Sequence, residues 1–241
     1  MQTQPVFPYS CQPTQGYQPA DPVNRTSEWL FVSFGQATFD AEGLEGPGRF
    51  FSRALHWPGG ASGATIGRGY DMGSRTAAQI QADLTSAGVA SAGAELLSRA
   101  AGLRGAAAKE FFERERCSAP VLTLQEQNRL YEQVTMPETV RDVQRILSKP
   151  DVVATYGSVS WAELPLPAQE ILFDLRYRGD YTAGTREFLQ PLLVAKDWKG
   201  VADLMQDHSR WISRGVPAGR ALARAKMAEG LRDQEKFLAE R

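Results

Sequence analysis

Apolar residues from Thr76 to the C-terminus recur with the spacing of amphipathic helices. Ile80 and Leu84 are four positions apart, and the same spacing returns in a segment that begins at Ser91. A helix that buries one face repeats apolar residues every three to four positions. The pattern predicts a mainly helical body, with later helices over 166–178, around 198–205 and from about 217 to 238.

Pairs of a hydroxyl residue and a glutamate three positions later mark three predicted helix starts. In such a capping box the hydroxyl accepts a hydrogen bond from a free backbone N–H, and the glutamate accepts one in return. The motif pairs Thr123 with Glu126, Thr135 with Glu138, and Ser160 with Glu163.

The N-terminal segment differs from this body. Residues 1–37 hold five prolines among glutamine, threonine and tyrosine, a composition typical of extended, weakly packed chain. The run 29–34 is too apolar to remain in water, so we expect it to dock on the body as a strand or a short helix. We therefore predict a linker or lead-in over 1–37 and one domain over 38–241.

The stretch between Arg49 and Gly73 is not expected to be helical. Its glycines stand at positions 59, 60, 63, 67, 69 and 73, and glycine at that density destabilises a helix. We expect turns or short strands here. Irregular segments on a rigid scaffold often carry function, so this stretch is where the sequence directs the search for a site.

Two carboxyl residues fall at opposite ends of predicted helices. Residues 39–43 predict a short helix that stops at Gly43, which leaves Glu42 at the negative end of the helix dipole, where ionisation is disfavoured. Asp71 directly precedes the helix that opens near 74–76, where the positive end favours a charge. Glycoside cleavage needs such a pair, one carboxyl protonated and one ionised. Glu45 and Asp40 remain alternatives to Glu42 as the acid.

Thr65 stands six positions before Asp71. In an uninterrupted strand the two side chains share a face but lie about 20 Å apart, at roughly 3.3 Å per residue. Both residues can serve one site only if the segment 67–69 bends the chain back, and its glycines permit such a bend.

The sequence offers little support for other kinds of site. The turn 67–73 is superficially like a dinucleotide-binding loop, but no alternating strands and helices surround it. Ser52, Ser62 and Ser74 lack a nucleophile-elbow motif, and His56 is more simply a structural loop residue. Two cysteines and two histidines form no zinc motif, so we assign no metal.

Composition and charge restrict the partners. The 241 residues carry 27 Lys and Arg against 28 Asp and Glu, a net charge of −1, which lacks the positive excess that attracts nucleic acid. No apolar stretch approaches the roughly 20 residues of a membrane span. Residues 1–8 lack the features of a secretory signal, so conventional export is not expected. A disulfide between Cys11 and Cys117 cannot be read from the sequence.

The motifs around these candidates resemble the lysozyme-like domain of pesticin and of type VI secretion effectors, including lysozyme extensions of spike proteins. The likeness covers roughly residues 38–241. The matching segments are FDAEG from Phe39, RFFSR from Arg49, HWPG from His56, SG from Ser62, TIGRGYD from Thr65, LPAQE from Leu166 and DLRYRG from Asp174.

The resemblance implies a fold, an activity and roles for single residues. The fold would be α+β and predominantly α, lysozyme-like, with a small mixed lobe that carries the glycine-rich turns, a larger helical lobe and a cleft between them. The activity would be that of a muramidase, a glycoside hydrolase that cleaves the β-1,4 bond between N-acetylmuramic acid and N-acetylglucosamine in peptidoglycan without metal or organic cofactor. Glu42 would be the general acid, Asp71 the carboxylate that positions or activates water, and Thr65 the hydroxyl that holds this water. Arg68 and Tyr70 are expected to bind substrate; inversion and retention both stay open.

The resemblance also suggests a biological setting. We expect an antibacterial type VI secretion effector that passes from the producer's cytoplasm into a competitor's periplasm by a route without a signal peptide. Its partners would be the peptidoglycan glycan strand, a cognate immunity protein and a secretion spike component, with no nucleic acid and no membrane span. The alternatives are a phage endolysin of the same chemistry and a non-catalytic wall-binding or spike-associated structural domain.

Overall fold

A computed structural model describes residues 27–45 and 51–239, with side chains described as far as 232. This part of the chain is mostly helical and holds one two-stranded antiparallel sheet. The α+β, predominantly α class is therefore confirmed. Cys11 and most of the predicted lead-in lie outside the described residues. The chain divides into two compact units at Met136 and Pro137, so the single domain predicted over 38–241 comprises two units.

The first unit carries the glycine-rich stretch and the sheet. Its strands are β1 and β2, and three short elements of other helix types accompany its α-helices. In chain order the elements are a 3-10 helix (Glu28–Leu30), α1 (Gln36–Ala41), β1 (Thr65–Ile66), β2 (Tyr70–Asp71), a 3-10 helix (Met72–Ser74), α2 (Ala77–Ala87), α3 (Ser91–Ser98), α4 (Gly105–Glu115), α5 (Leu124–Leu130) and a π-helix (Tyr131–Thr135).

Both strands of the sheet contribute to the core of the first unit. Ile66 from β1 and Tyr70 from β2 are fully buried, in one cluster with Ile80 and Leu84 of α2 and Phe111 of α4. The predicted amphipathic face of α2 is thus confirmed. Burying each such side chain contributes about 1.5–3 kcal/mol, so this core fixes the hairpin against the helices.

The apolar run 29–34 contacts the first unit, but none of its residues is buried and Phe31 is 63% exposed. It forms a 3-10 helix and an extended tail, and Asn128 of α5 donates its side-chain N–H groups to the carbonyls of Trp29 and Phe31, at 3.2 and 2.9 Å. Ser33 donates its hydroxyl to Glu132 at 2.7 Å. Part of the predicted lead-in therefore belongs to the folded body.

The second unit consists of helices. Its first helix begins at the boundary between the units. The elements are α6 (Met136–Leu147), α7 (Pro150–Tyr156), a 3-10 helix (Trp161–Glu163), α8 (Leu166–Arg178), α9 (Ala183–Val194), α10 (Trp198–Gln206), α11 (His208–Ser213) and α12 (Ala218–Ala239). Helix α12 packs against α8 and α10, and the bounds of α8, α10 and α12 confirm the predicted segments.

Buried charges cross the core of the second unit. Asp174 of α8 is 1% exposed and accepts hydrogen bonds from Arg220 at 2.7 Å and from Arg224 at 2.6 Å, both on α12. Burial alone raises the pKa of Asp174, but hydrogen bonds and charge from the two arginines outweigh it, so the pKa lies below its usual value. The ionised carboxylate therefore contributes to the packing of α12 on α8.

The capping-box predictions were partly wrong. Thr123 and Glu126 form the predicted reciprocal cap of α5. Thr135 instead lies inside continuous helix, where its hydroxyl donates to the carbonyl of Tyr131 at 3.3 Å. Ser160 precedes only a short 3-10 helix and makes no side-chain cap. At Thr135, the buried side chains of Tyr131 and Val134 favour an uninterrupted helix, since packing outweighs a local capping preference.

Within the described residues, none of the helices combines the length and the apolar character that a bilayer crossing requires.

Candidate active site

The glycine-rich stretch folds into a hairpin that places Thr65 and Asp71 opposite each other. The register pairs Thr65 with Asp71 and Ile66 with Tyr70. The connecting residues include Gly67 at φ 62° and Gly69 at φ 83°, backbone angles that L-residues with a Cβ rarely adopt. Directly paired residues point to the same face, with Cβ atoms roughly 5 Å apart. The predicted bend over 67–69 is confirmed.

The side chain of Asp71 is half-buried and fixed by the backbone of its own loop. One carboxylate oxygen accepts from the N–H of Gly73 at 2.7 Å and the other from the N–H of Gly63 at 3.1 Å. Asp71 thereby caps the 3-10 helix Met72–Ser74, whereas α2 is capped by Thr76. The helix expected to open near 74–76 is α2, which begins at Ala77, so Asp71 directly precedes the 3-10 helix and not α2. A carboxylate offers about four acceptor sites, so sites remain for a bound water.

Thr65 is the residue opposite Asp71 in the register of the hairpin. Thr65 is 4% exposed, and its Oγ1 donates to the carbonyl of Gly63 at 3.2 Å. Its backbone pairs with His56 as well, with N···O distances of 2.8 and 2.9 Å. A hydroxyl that donates once still accepts through its lone pairs, so the Thr65 hydroxyl keeps its capacity to accept a hydrogen bond.

Glu42 ends helix α1, as predicted. It is the C-cap residue, and its N–H donates to the carbonyls of Thr38 at 3.1 Å and Phe39 at 3.3 Å. Its side chain is half-buried. Gly43 follows without a positive φ; it is needed because a Cβ there would lie 2.4 Å from the Cβ of Ser52.

Two other acids that competed with Glu42 are placed differently. Glu45 is 6% exposed and lies between Arg68 at 2.6 Å and Arg53 at 2.8 Å, and it also accepts from Gln127 at 2.7 Å. These three contacts occupy both oxygens of the Glu45 carboxylate inside the protein. Asp40 is exposed and accepts from Gln36 at 3.1 Å. Of the three acids, Glu42 is the one that ends α1 with a half-buried side chain.

Arg68 joins the hairpin to the segment that carries Glu42. Its Nη1 donates to the carbonyl of Phe39 and, at 2.8 Å, to the carbonyl of Gly43, while Nη2 pairs with Glu45. The guanidinium stands 4.2 Å from the centre of the Phe39 ring. This cation lies on the carbonyls at the negative end of α1, so its field opposes the dipole effect that the sequence predicted for Glu42.

Neither Arg68 nor Tyr70 is placed for direct contact with a ligand. Arg68 is 5% exposed and Tyr70 is fully buried. The Tyr70 hydroxyl donates to Asp83 at 2.7 Å, and Arg75 stacks on its ring at 4.2 Å while donating to the carbonyl of Asp71 at 3.2 Å. We therefore correct the expectation of substrate contact and assign both residues to the support of the hairpin.

His56 has the structural role expected for it. Its Nδ1 lies 2.9 Å from the carbonyl of Ala54, and its backbone extends the hairpin by pairing with Thr65. Burial lowers the pKa of His56 below its usual value, against the opposite effect of the Ala54 carbonyl. The ring is neutral at physiological pH, and the site does not use it as a charged group.

Sequence reasoning did not foresee the supporting residues Glu45, Arg75, Asp83 and Gln127. Gln127 and Glu45 are 82 positions apart, and no local pattern indicates that pairing. Arg75 carried a weak signal, because it lies four positions after Asp71 within the same loop. Among the residues with described side chains, no three His, Cys, Asp or Glu are grouped as metal ligands would be.

Cys117 is disulfide-bonded. The sequence contains one other cysteine, Cys11, which lies outside the described residues. Disulfides persist in oxidising compartments and are rare in the cytosol.

Comparison with known proteins identifies a family of which no function is stated. The family described as Domain of unknown function (DUF8812) matches residues 35–225. No curated protein matches the chain. The matched range includes the whole hairpin, Glu42 and most of the second unit.

Proposed function

The chain belongs to the DUF8812 family, and we propose that it is a peptidoglycan hydrolase, a muramidase that cleaves the β-1,4 bond between N-acetylmuramic acid and N-acetylglucosamine. The observation that carries the proposal is the pairing of Thr65 with Asp71 on a hairpin whose Arg68 binds the carbonyls on both sides of Glu42. One compact unit thus brings the segments of all three candidate residues together.

In the proposed reaction Glu42 is the general acid. It protonates the glycosidic oxygen as the bond to the anomeric carbon breaks, and the departing sugar keeps that proton. Asp71 accepts a proton from a water that Thr65 helps to hold, and the water oxygen bonds to the anomeric carbon. Protonation of the leaving group and activation of water are the two tasks that glycoside hydrolysis assigns to its carboxyl groups.

The environments of the two carboxyl groups support this division of labour. Asp71 accepts two backbone N–H bonds, one at each carboxylate oxygen, which fix the position of the group and leave acceptor sites for a water. Glu42 is half-buried at the C-terminus of α1, and Arg68 binds the carbonyls on both sides of it. In the proposal the fixed carboxylate of Asp71 therefore holds the water, and Glu42 has the remaining role of proton donor.

We further propose a lysozyme-like fold and action outside the cytoplasm. Peptidoglycan lies beyond the cytoplasmic membrane, and the disulfide at Cys117 suits an oxidising compartment. An antibacterial secretion effector with a cognate immunity protein fits these features, and delivery by a secretion machine would make a strongly basic surface unnecessary for a chain of net charge −1.

Mass spectrometry of the products tests the reaction class. Purified sacculi are digested with the protein, and the soluble muropeptides are analysed before and after borohydride reduction. A muramidase leaves reducing N-acetylmuramic acid ends. Reducing N-acetylglucosamine ends would instead indicate a glucosaminidase, and 1,6-anhydro ends would indicate a lytic transglycosylase; either result contradicts the proposal. Binding to sacculi without any released product would identify a wall-binding domain.

A further inference from the structure

The side chain of Arg68 is buried in contacts with other residues of the protein. It stands at the turn of the hairpin, between Gly67 and Gly69, and is 5% exposed. Its guanidinium pairs with Glu45 at 2.6 Å and stacks on the ring of Phe39 at 4.2 Å. Such a side chain does not reorganise to meet a ligand, so its role lies in the contacts that it makes within the protein.

Those contacts flank the proposed general acid. The same Nη1 atom donates to the carbonyl of Phe39, in the last turn of α1, and to the carbonyl of Gly43, the residue after Glu42. The main chain on both sides of Glu42 is thereby attached to the hairpin. Because Arg68 lies three positions from Thr65 and three from Asp71, one residue connects the acid to the two groups proposed to hold water.

The remaining neighbours of this segment leave it little freedom. Gly43 has no room for a Cβ, which would lie 2.4 Å from Ser52. Ser52 in turn donates to Gln127 at 2.7 Å, and its N–H donates to the carbonyl of Leu44 at 3.2 Å. The segment 42–45 is therefore held between α5 and the hairpin, and Arg68 provides its attachment to the hairpin.

We propose that Arg68 is a positioning residue for the general acid. By fixing the main chain of Glu42 relative to the hairpin, it sets the separation between the carboxyl groups of Glu42 and Asp71. That separation decides whether a water fits between them, and a shift of about 1 Å in a reacting group costs on the order of a hundredfold in rate. The inference rests on the proposed function and adds a residue that acts through Glu42.

Arg53 provides a matched control for this role. It pairs with the same Glu45 at 2.8 Å, but its Nη1 donates to the carbonyl of Leu122 at 2.8 Å, and none of its hydrogen bonds within the described residues reaches the carbonyls beside Glu42. Arg68→Lys and Arg53→Lys each keep a positive charge near Glu45 and each lose the fork of a guanidinium. The two variants therefore lose different hydrogen bonds: Arg68→Lys loses those to the carbonyls of Phe39 and Gly43, and Arg53→Lys loses the one to the carbonyl of Leu122.

The test compares turnover in the two variants. On soluble glycan oligomers, at a temperature where melting curves show both variants folded, Arg68→Lys is expected to lower kcat by roughly tenfold or more and to change KM by less than about threefold. Arg53→Lys is expected to change both constants by less than about threefold. Equal loss in both variants, or a loss in Arg68→Lys confined to KM, would overturn the positioning role.

Hydrogen exchange separates this inference from the proposed function. If Arg68 holds the end of α1, amide exchange over 40–45 is faster in Arg68→Lys than in the wild type and unchanged in Arg53→Lys. Unchanged exchange in both variants would overturn the inference even if the wild type is active. A wild type that releases no product from any glycan would end the catalytic proposal, whatever the exchange shows.

Discussion

The carboxylate of Asp71 occupies the space that a side chain at position 63 would need. A Cβ built on Gly63 would lie 2.1 Å from Oδ1 of Asp71 and 2.5 Å from the backbone nitrogen of Gly73. Both neighbours are fixed, since Asp71 is bonded to the N–H groups of Gly63 and Gly73. The absence of a side chain at Gly63 thus determines where the carboxylate of Asp71 lies.

Gly63→Ala is therefore expected to displace Asp71. Overpacking at a fixed site costs roughly 1–3 kcal/mol, and the shift of the carboxylate should lower turnover at least tenfold. Denaturant unfolding and a peptidoglycan-release assay measure the two effects. Gly219→Ala is the control, because a Cβ there meets nothing within 4 Å and alanine favours a helix by roughly 0.5–1 kcal/mol. Equal stability and activity of both variants would show that the space at Gly63 is not required.

The structure explains why only part of the candidate site could be predicted from the sequence. The positions of Gly67 and Gly69 predicted the bend, because both adopt the positive φ that glycine permits. Gly43 follows the end of α1 as predicted, but the structure needs it for the close approach of Ser52 and not for a positive φ. The pairing of Arg68 with Glu45, by contrast, depends on two segments 23 positions apart and on Gln127 from α5. Charged residues on the sequence do not indicate which of them will be buried together, and so Arg68 was expected at the substrate instead of in the support of the site.

The ion pairs of Asp174 predict a large loss of stability on neutralisation. Asp174→Asn would leave Arg220 and Arg224 facing a neutral amide in the core of the second unit. Removing one partner of a buried pair typically costs about 3–5 kcal/mol. Urea unfolding, monitored by circular dichroism, measures this loss in the free energy of unfolding. Asp203→Asn is the control, since Asp203 pairs with Lys199 and Arg232 at the surface, where ion pairs contribute little to stability, and we expect only a small change. A loss in Asp174→Asn no larger than in Asp203→Asn would contradict the role of the buried network.

The lowered pKa of Asp174 also predicts how stability depends on pH. Its folded pKa lies below the unfolded value of about 3.9, so its contribution is fully present above that unfolded value. As the pH falls toward the folded pKa, the native carboxylate must take up a proton and the contribution is lost. The free energy of unfolding, measured by urea denaturation at pH values from 7 to 2, should fall more steeply below about pH 4 for the wild type than for Asp174→Asn. If the free energy of unfolding depends on pH in the same way in both proteins, another group dominates acid unfolding.

The disulfide at Cys117 predicts the thiol content of the oxidised protein. Protein prepared in an oxidising compartment and then denatured without reductant should show no reactive thiol, because Cys117 is bonded and the sequence has two cysteines in all. Reduction before denaturation should release both. A reactive Cys117 in the unreduced protein would contradict the bond and remove one support for action outside the cytoplasm.

The central claim is that Glu42 donates a proton while Asp71, across the hairpin from Thr65, holds the attacking water. The most direct test measures reducing ends released from purified peptidoglycan by the wild type, Glu42→Gln and the exposed control Asp40→Asn, with circular dichroism to establish that each is folded. The account predicts release by the wild type and by Asp40→Asn and a loss of at least about a hundredfold in Glu42→Gln. Full release by folded Glu42→Gln would contradict it.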